Sequence, residues 1–272
     1  MPEGPEIKRV ADRVGKAVIG QPLAEVWFGV EALKPFELIL AQQTVIAVDS
    51  RGKGMLTRFS GGLSVYTHSK LFGHWFITRA GSYPKNNRML RFALKGERIW
   101  ALLYSTMHIE VLDPDAESAH PYLSKLGPDI LAPDTTPEIV ANRFLEPQFA
   151  RQKLALLLLD QKCLCGPGNY LRSEVLWAAR IRPERAPGDL APAEIASLGI
   201  AVHDLSQRAY VQRGFTIDTE RAREMEVRNA DDRDRRHYVF ERNERPCPRC
   251  SDPIAVSRLA GRRIFWCPVC QV

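Results

Sequence analysis

Residues 247–270 read CPRCSDPIAVSRLAGRRIFWCPVC: two Cys-x-x-Cys pairs with sixteen residues between them. Each pair offers two thiolates from one tight turn. Within the spacer, Ile254, Val256 and Arg258 alternate, Ala260-Gly261 can turn, and Ile264, Phe265 and Trp266 return. The pattern predicts a hairpin that brings the pairs together, with Cys247, Cys250, Cys267 and Cys270 as the tetrahedral shell of one zinc ion. Four thiolates leave no open coordination position, so the expected metal is structural. Arg258, Arg262 and Arg263 cluster at the hairpin tip, which favours phosphate contacts.

The rest of the chain sets limits on this module. It has 272 residues, which suggests two domains, and 45% hydrophobic against 26% charged residues, which excludes a disordered tail protein. Six cysteines are too few for a disulfide scaffold, and Cys163 and Cys165 read as ordinary small residues. None of the six histidines stands at ligand spacing; they read as core or surface positions. The net charge of +6 permits a polyanionic partner without demanding one. No uninterrupted apolar run exceeds six residues, as at 154–159, where a membrane span needs about 20. The start, MPEGPEIKRV, lacks the apolar stretch of a signal peptide, and the expectation is a cytoplasmic protein without membrane association.

Upstream of the cysteines the texture changes near residue 124. Ile7, Val10, Ala11, Val14 and Val18 predict a helix entered through Pro5 and stopped by Gly20 and Pro22. Strands follow. Met55, Thr57 and Phe59 alternate up to a Gly61-Gly62 two-residue turn into Leu63, Val65 and Thr67. Leu90, Phe92 and Leu94 lead through a Lys95-Gly96-Glu97 turn to Ile99, Ala101 and Leu103. The expected architecture is an antiparallel β-sandwich behind one helix. Beyond it, Thr136-Pro137-Glu138 is a helix start, 153–160 reads as a buried helix, and 165–169 breaks the pattern. Leu171, Val175, Leu176 and Ala179 form a second helical stripe, and Ile195, Leu198, Val202, Leu205 and Ala209 a third. Residues 220–236 carry dense charge of both signs, as a solvated helix or a mobile segment would.

Position 2 is proline, after which an initiator methionine is usually removed. Its secondary amine would then be free. An α-amino group with a pKa of about 8 is roughly 10% neutral at pH 7, against ~0.04% for a lysine. Attack by such an amine on an aldehydic sugar carbon gives a permanently cationic iminium, an electron sink suited to elimination. Glu3 stands beside it to move protons. Proline and glutamate are also ordinary residues at a helix start, so these two positions alone leave both readings open.

Four separated motifs occur together and in order: MPEGPEI, Arg51-Gly52-Lys53-Gly54 before a strand, Gly166-Pro167-Gly168-Asn169-Tyr170-Leu171-Arg172-Ser173-Glu174 after a buried helix, and the four-cysteine ribbon. Jointly they resemble the formamidopyrimidine-DNA glycosylase/endonuclease VIII family of bacterial base-excision repair enzymes, and the MPEGPEI opening looks like the endonuclease VIII branch. The resemblance implies an α+β multidomain fold. Its parts are an N-terminal catalytic β-sandwich with an N-terminal helix (2–124), a helix-two-turn-helix DNA-binding domain (130–236) and a zinc ribbon (237–272). It implies a monomer acting on damaged, double-stranded DNA, at the bacterial nucleoid, by base excision and β,δ-elimination.

The resemblance also implies roles. Pro2 matches the Schiff-base nucleophile, Glu3 the proton donor and shuttle, and Lys53 the lysine acting at sugar and phosphate. Asn169 matches a phosphate contact, Arg262 the ribbon arginine of phosphate binding and δ-elimination, and Lys125 a basic phosphate contact that is usually arginine. Glu174 either supports the pocket or caps its helix. A base to be excised must first be flipped out of the duplex, and Lys70-Leu71-Phe72 looks like the wedge that fills the void. The branch typically has Gln-Leu-Tyr there. A second departure is Asn243-Glu244-Arg245-Pro246, which lacks the glycine usual before the first cysteine pair. Two other readings compete: an oxidised-purine glycosylase of the same family, and a non-catalytic zinc-ribbon DNA binder, which would leave Pro2, Glu3 and Lys53 without a joint purpose.

Overall fold

A computed structural model describes residues 2–106, 108–227, 231–259 and 261–272. The expected removal of Met1 and the turn role of Ala260 concern residues outside those described. The chain divides into two compact units. One comprises the N-terminus through Glu3 and Ile7–Lys125, the other Gly4–Glu6 and Leu126–Val272.

The first unit is a sandwich of two four-stranded antiparallel sheets. Helix α1 (Gly4–Val18) precedes β1 (Leu23–Phe28), the short helix α2 (Phe36–Ala41), β2 (Val45–Arg51), β3 (Gly54–Phe59), β4 (Ser64–His68), β5 (His74–Arg79), β6 (Leu90–Gly96), β7 (Ile99–Tyr104) and β8 (His108–Leu112). A capped helix, α3 (Pro114–Ala119), follows, its first turn held by the Asp113 carboxylate. The strand orders are β2-β3-β4-β8 and β1-β6-β7-β5. Period-two alternation turns Val26, Phe28, Phe92, Leu94, Ala101 and Leu103 of one sheet onto Val45, Met55, Phe59 and Val65 of the other. Ala11, Val14 and Val18 of α1 join this core.

Both expected hairpins form, with different turns. The β3–β4 loop has three residues, 60–62, not two. The amide of Gly62 donates to the Phe59 carbonyl at 3.0 Å, Phe59 pairs back to Leu63 at 2.9 Å, and Gly62 sits at φ +89°. That left-handed residue after a tight turn is what a three-residue hairpin requires. In the β6–β7 hairpin Lys95 pairs with Trp100, so the tip falls at Glu97 and Arg98, and the expected Lys95-Gly96-Glu97 turn shares only Glu97 with it.

In the second unit, α4 (Pro137–Leu145) starts where expected, with the Thr136 hydroxyl accepting the Ile139 amide at 3.4 Å. The expected helix over 153–160 shortens to one turn, α5 (Leu154–Leu157). Turn hydrogen bonds then close around Asp160, whose carboxylate takes the Lys162 amide at 2.9 Å and bends the chain away. Helices α6 (Asn169–Ala178) and α7 (Pro192–Val211) follow, and the charged segment resolves into α8 (Thr219–Val227) and α9 (Asp232–Arg236). Val140, Phe144, Leu154, Leu171, Val175, Leu198 and Val202 share one core. The hairpin β9 (Ala255–Leu259) and β10 (Arg262–Trp266) closes the chain, with Gly261 at φ +72° in its turn. No helix among the described residues is long and apolar enough to cross a membrane.

Candidate active site and nucleic-acid interface

In the first unit, Pro2 and Glu3 precede the first helical residue of α1, and the Glu3 carbonyl accepts the Ile7 amide at 3.1 Å. The local sequence explains this. Pro5 lies in the first turn, where a missing N–H costs nothing. Glu3 is 2% exposed and Lys53 7%. Charged side chains so far from water are expensive, and such positions are enriched in functional sites.

Lys53 occupies the two-residue turn between β2 and β3, where Arg51 pairs with Gly54 and Gly52 takes φ +58°. Glycine is the residue that a two-residue hairpin tolerates there. Gly54 permits a second close approach, since a Cβ at that position would meet the Tyr66 ring at 2.5 Å. The register then continues across the sheet. Gly54 faces His68, and His68 faces His108. This end of the sheet therefore gathers cations around a half-buried imidazole. Burial, followed by the charges of His108, Lys70 and Lys53, brings the His68 pKa down to about 4. His68 stays neutral at pH 7, and its Nδ1 accepts the Lys70 amide at 3.1 Å. Sequence spacing did not single it out, because its neighbours come from a turn, a loop and another strand.

Lys70, Leu71 and Phe72 form the tip of the β4–β5 connection. Lys70 sits at φ +44°, and the Gly73 amide closes the turn onto Ser69 at 2.8 Å. Leu71 and Phe72 are 63% and 67% exposed. Two adjacent large apolar side chains in water mark an interaction surface more than a folding requirement. Lys125 is exposed at the end of this unit.

In the second unit, Asn169 opens α6, and its side-chain amide donates to the Arg263 carbonyl at 3.0 Å. The structure thus joins the Gly-Pro-Gly-Asn turn to the ribbon hairpin. Arg258, Arg262 and Arg263 are all exposed on that hairpin, and Arg263 pairs across it with Arg258. Glu174 is fully buried. It accepts the Thr216 hydroxyl at 2.6 Å and the amides of Tyr238, Val239 and Phe240 at 2.8–2.9 Å. Hydrogen bonds to a charged group contribute ~1.5–3 kcal/mol each. One carboxylate thus ties together the two flanks of the charged segment.

The four cysteine sulfurs lie within 4.8 Å of one another, with Cys250–Cys267 at 3.5 Å and Cys247–Cys270 at 3.9 Å. These separations are too long for disulfides. They match the edge of roughly 3.8 Å of a tetrahedron with Zn–S bonds of about 2.3 Å. Burial opposes ionisation of Cys247, yet hydrogen bonds from the Trp177 indole N–H and the Arg249 and Cys250 amides lower its pKa, while those of the neighbouring Cys250 and Cys270 thiols are raised. The donor set fits a metal that binds thiolates. In the Asn243-Glu244-Arg245-Pro246 stretch before the first cysteine pair, Glu244 sits at φ +65°.

Comparison with known proteins agrees with this architecture. Residues 1–104 match the formamidopyrimidine-DNA glycosylase N-terminal domain, and residues 126–220 the formamidopyrimidine-DNA glycosylase H2TH domain. The chain is 40% identical over 271 residues to Endonuclease 8 of Escherichia coli K12 / DH10B and of Shigella sonnei Ss046, covering all of both chains. In fold it is similar to Lactococcus lactis Fpg (MutM) in complex with N7-benzyl-Fapy-dG DNA (TM-score 0.80, 21% identity) and bound to AP-site DNA (0.78, 21%), with 99% of each chain covered. The chain therefore belongs to the formamidopyrimidine-DNA glycosylase/endonuclease VIII family of base-excision repair, whose members are DNA glycosylases with AP lyase activity.

Proposed function

We propose that this protein removes oxidised bases, mainly pyrimidines, from double-stranded DNA and cuts the resulting abasic strand by β,δ-elimination. The full-length 40% identity to Endonuclease 8 carries the reading. The buried Glu3 and Lys53 of the sandwich unit support it. The Pro2 amine attacks the sugar C1′ as the base departs, and Glu3 supplies the proton the departing base or opening sugar ring takes up. The resulting iminium acidifies the C2′ hydrogen. Its loss expels the 3′ phosphate, and a second elimination expels the 5′ phosphate. Lys53 acts at the sugar and its phosphate. Asn169, Lys125 and Arg262 grip the backbone, Arg262 also serving δ-elimination, while Lys70, Leu71 and Phe72 fill the space that the flipped nucleotide leaves. Cys247, Cys250, Cys267 and Cys270 hold one structural zinc ion that keeps the arginine-bearing hairpin folded.

Borohydride trapping on an abasic duplex tests the chemistry. Reduction of the iminium should leave a covalent adduct on residue 2 of a chain lacking Met1. An adduct on Lys53, or trapping by a chain that retains Met1, would refute the nucleophile. Competition between thymine glycol and 8-oxoguanine duplexes tests the substrate class. Preferential excision of 8-oxoguanine would move the enzyme to the purine branch.

A further inference from the structure

Arg172, the seventh residue of the Gly166–Glu174 motif, is fully buried on α6. Its guanidinium donates to the Ala155 carbonyl at 3.1 Å, to Asn169 Oδ1 at 2.6 Å and to the Arg263 carbonyl at 3.0 Å. Asn169 Nδ2 donates to that same Arg263 carbonyl at 3.0 Å. These bonds decide which way round the Asn169 amide sits. A guanidinium only donates, so it must face the amide oxygen. Nδ2 then meets the Arg263 carbonyl and spends one hydrogen there. The second Nδ2 hydrogen has no partner among the described residues. Turning the amide by half a revolution would set NH₂ against guanidinium and oxygen against carbonyl oxygen, two repulsive pairs in place of two bonds.

We infer that Arg172 is a positioning residue for DNA binding: it locks the Asn169 amide with a donor free for an anion and fixes that donor to the strand that bears Arg262. The inference rests on the phosphate-gripping role proposed for Asn169. A freely flipping amide would present a carbonyl to phosphate half the time, and an untethered Arg263 carbonyl would release β10 from the helix start. Arg172 touches neither sugar nor base in this scheme. It acts on affinity and leaves the chemical step alone.

The test is anisotropy binding to a duplex carrying a tetrahydrofuran abasic analogue, with single-turnover cleavage of an abasic duplex at saturating protein. The variants are Asn169→Ala, Arg172→Met, Arg172→Lys and the Asn169→Ala/Arg172→Met double. Arg172→Met should weaken binding about tenfold, as loss of hydrogen bonds to a charged group does, with the saturated cleavage rate within about twofold. Lysine also only donates, so Arg172→Lys should bind within about threefold of the parent. The loss in the double variant should fall well short of the sum of the two single losses, because Arg172 acts in part through Asn169. Additive losses, an Arg172→Lys loss as large as that of Met, or a fall in saturated cleavage would overturn the role. Should Arg172→Met not fold, the threefold limit on Arg172→Lys decides alone. Normal binding by Asn169→Ala would instead remove the phosphate role of Asn169 and this inference with it.

Discussion

Glu3 and Lys53 are buried in the sandwich unit although their sequence contexts would leave them in water. One is a helix-start glutamate and the other a hairpin lysine, both ordinarily solvated. If they act on the sugar, their variants separate chemistry from grip. Glu3→Gln keeps size and hydrogen-bonding shape but has no acidic proton to transfer. It should bind lesion duplex nearly normally, fail at base removal, and retain part of its action on a pre-formed abasic site, where Pro2 remains. Lys53→Ala should lose cleavage with at most a modest loss of affinity. Single-turnover assays beside binding curves check both, and full base excision by Glu3→Gln would mean the roles are misassigned. His68 makes a separate prediction from its depressed pKa. An unfolded histidine binds a proton near pH 6.5, whereas this one does so only near 4. Its contribution to stability is therefore complete above about pH 6.5 and is lost as pH falls toward 4. His68→Gln keeps an acceptor for the Lys70 amide and should flatten this part of the Tm-against-pH curve. An unchanged acid limb would show that His68 does not titrate there. Pro2, Glu3 and Lys53 were legible as candidates because their motifs are local. His68 and Arg172 were not, because their meaning depends on partners that the fold brings from other strands or from position 263.

At the scale of elements, the sequence foretold helices and strands where periodicity was clean and mistook their ends where side-chain bonds intervened. The run at 154–159 is apolar enough for a longer helix, yet Asp160 ends it after one turn by capping the Lys162 amide. Gly61-Gly62 announced a hairpin, but loop length depends on register, which only pairing of Phe59 with Leu63 fixes. The ribbon was readable because the ligand spacing is itself the structure. Its geometry couples metal to folding. Cys267→Ser should lower zinc content below the one ion expected per chain and weaken DNA binding, while far-UV circular dichroism of the sandwich persists. Metal analysis finding no zinc in active protein would contradict the assignment. The turn into the ribbon carries a second prediction. Glu244 holds a left-handed conformation at φ +65°, which costs a non-glycine residue roughly 1–2 kcal/mol. Glycine removes that strain and gives back part of it as chain entropy. Glu244→Gly should therefore stabilise the protein by about 0.5–1 kcal/mol in denaturant titration, and a loss of stability would show that the glutamate side chain compensates.

For the molecule as a whole, charge says less than its placement. A net +6 spread over 272 residues is compatible with many soluble enzymes. The structure adds where exposed cations stand: Lys125 at the end of the sandwich unit, and Arg258, Arg262 and Arg263 on one hairpin, beside Asn169. Composition could not show that clustering, and the motif could not show that a neutral amide shares the hairpin's frame. The distinction is measurable because phosphate neutralisation releases counterions. Each cation that contacts a phosphate contributes about 0.9 to the slope of log affinity against log salt. Lys125→Ala and Arg262→Ala should each lower that slope by roughly one unit and lose affinity mostly at low salt. Asn169 releases no counterion, so Asn169→Ala should weaken binding by a similar factor at every salt concentration and leave the slope where it was. Titration of an abasic-analogue duplex over a range of salt concentrations reads all three variants together. Unchanged slopes for Lys125→Ala and Arg262→Ala would mean that these cations stay in solvent when DNA is bound. A changed slope for Asn169→Ala would mean that losing its amide also displaces a charged neighbour, with Arg262 and Arg263 on the strand it holds as the first residues to suspect.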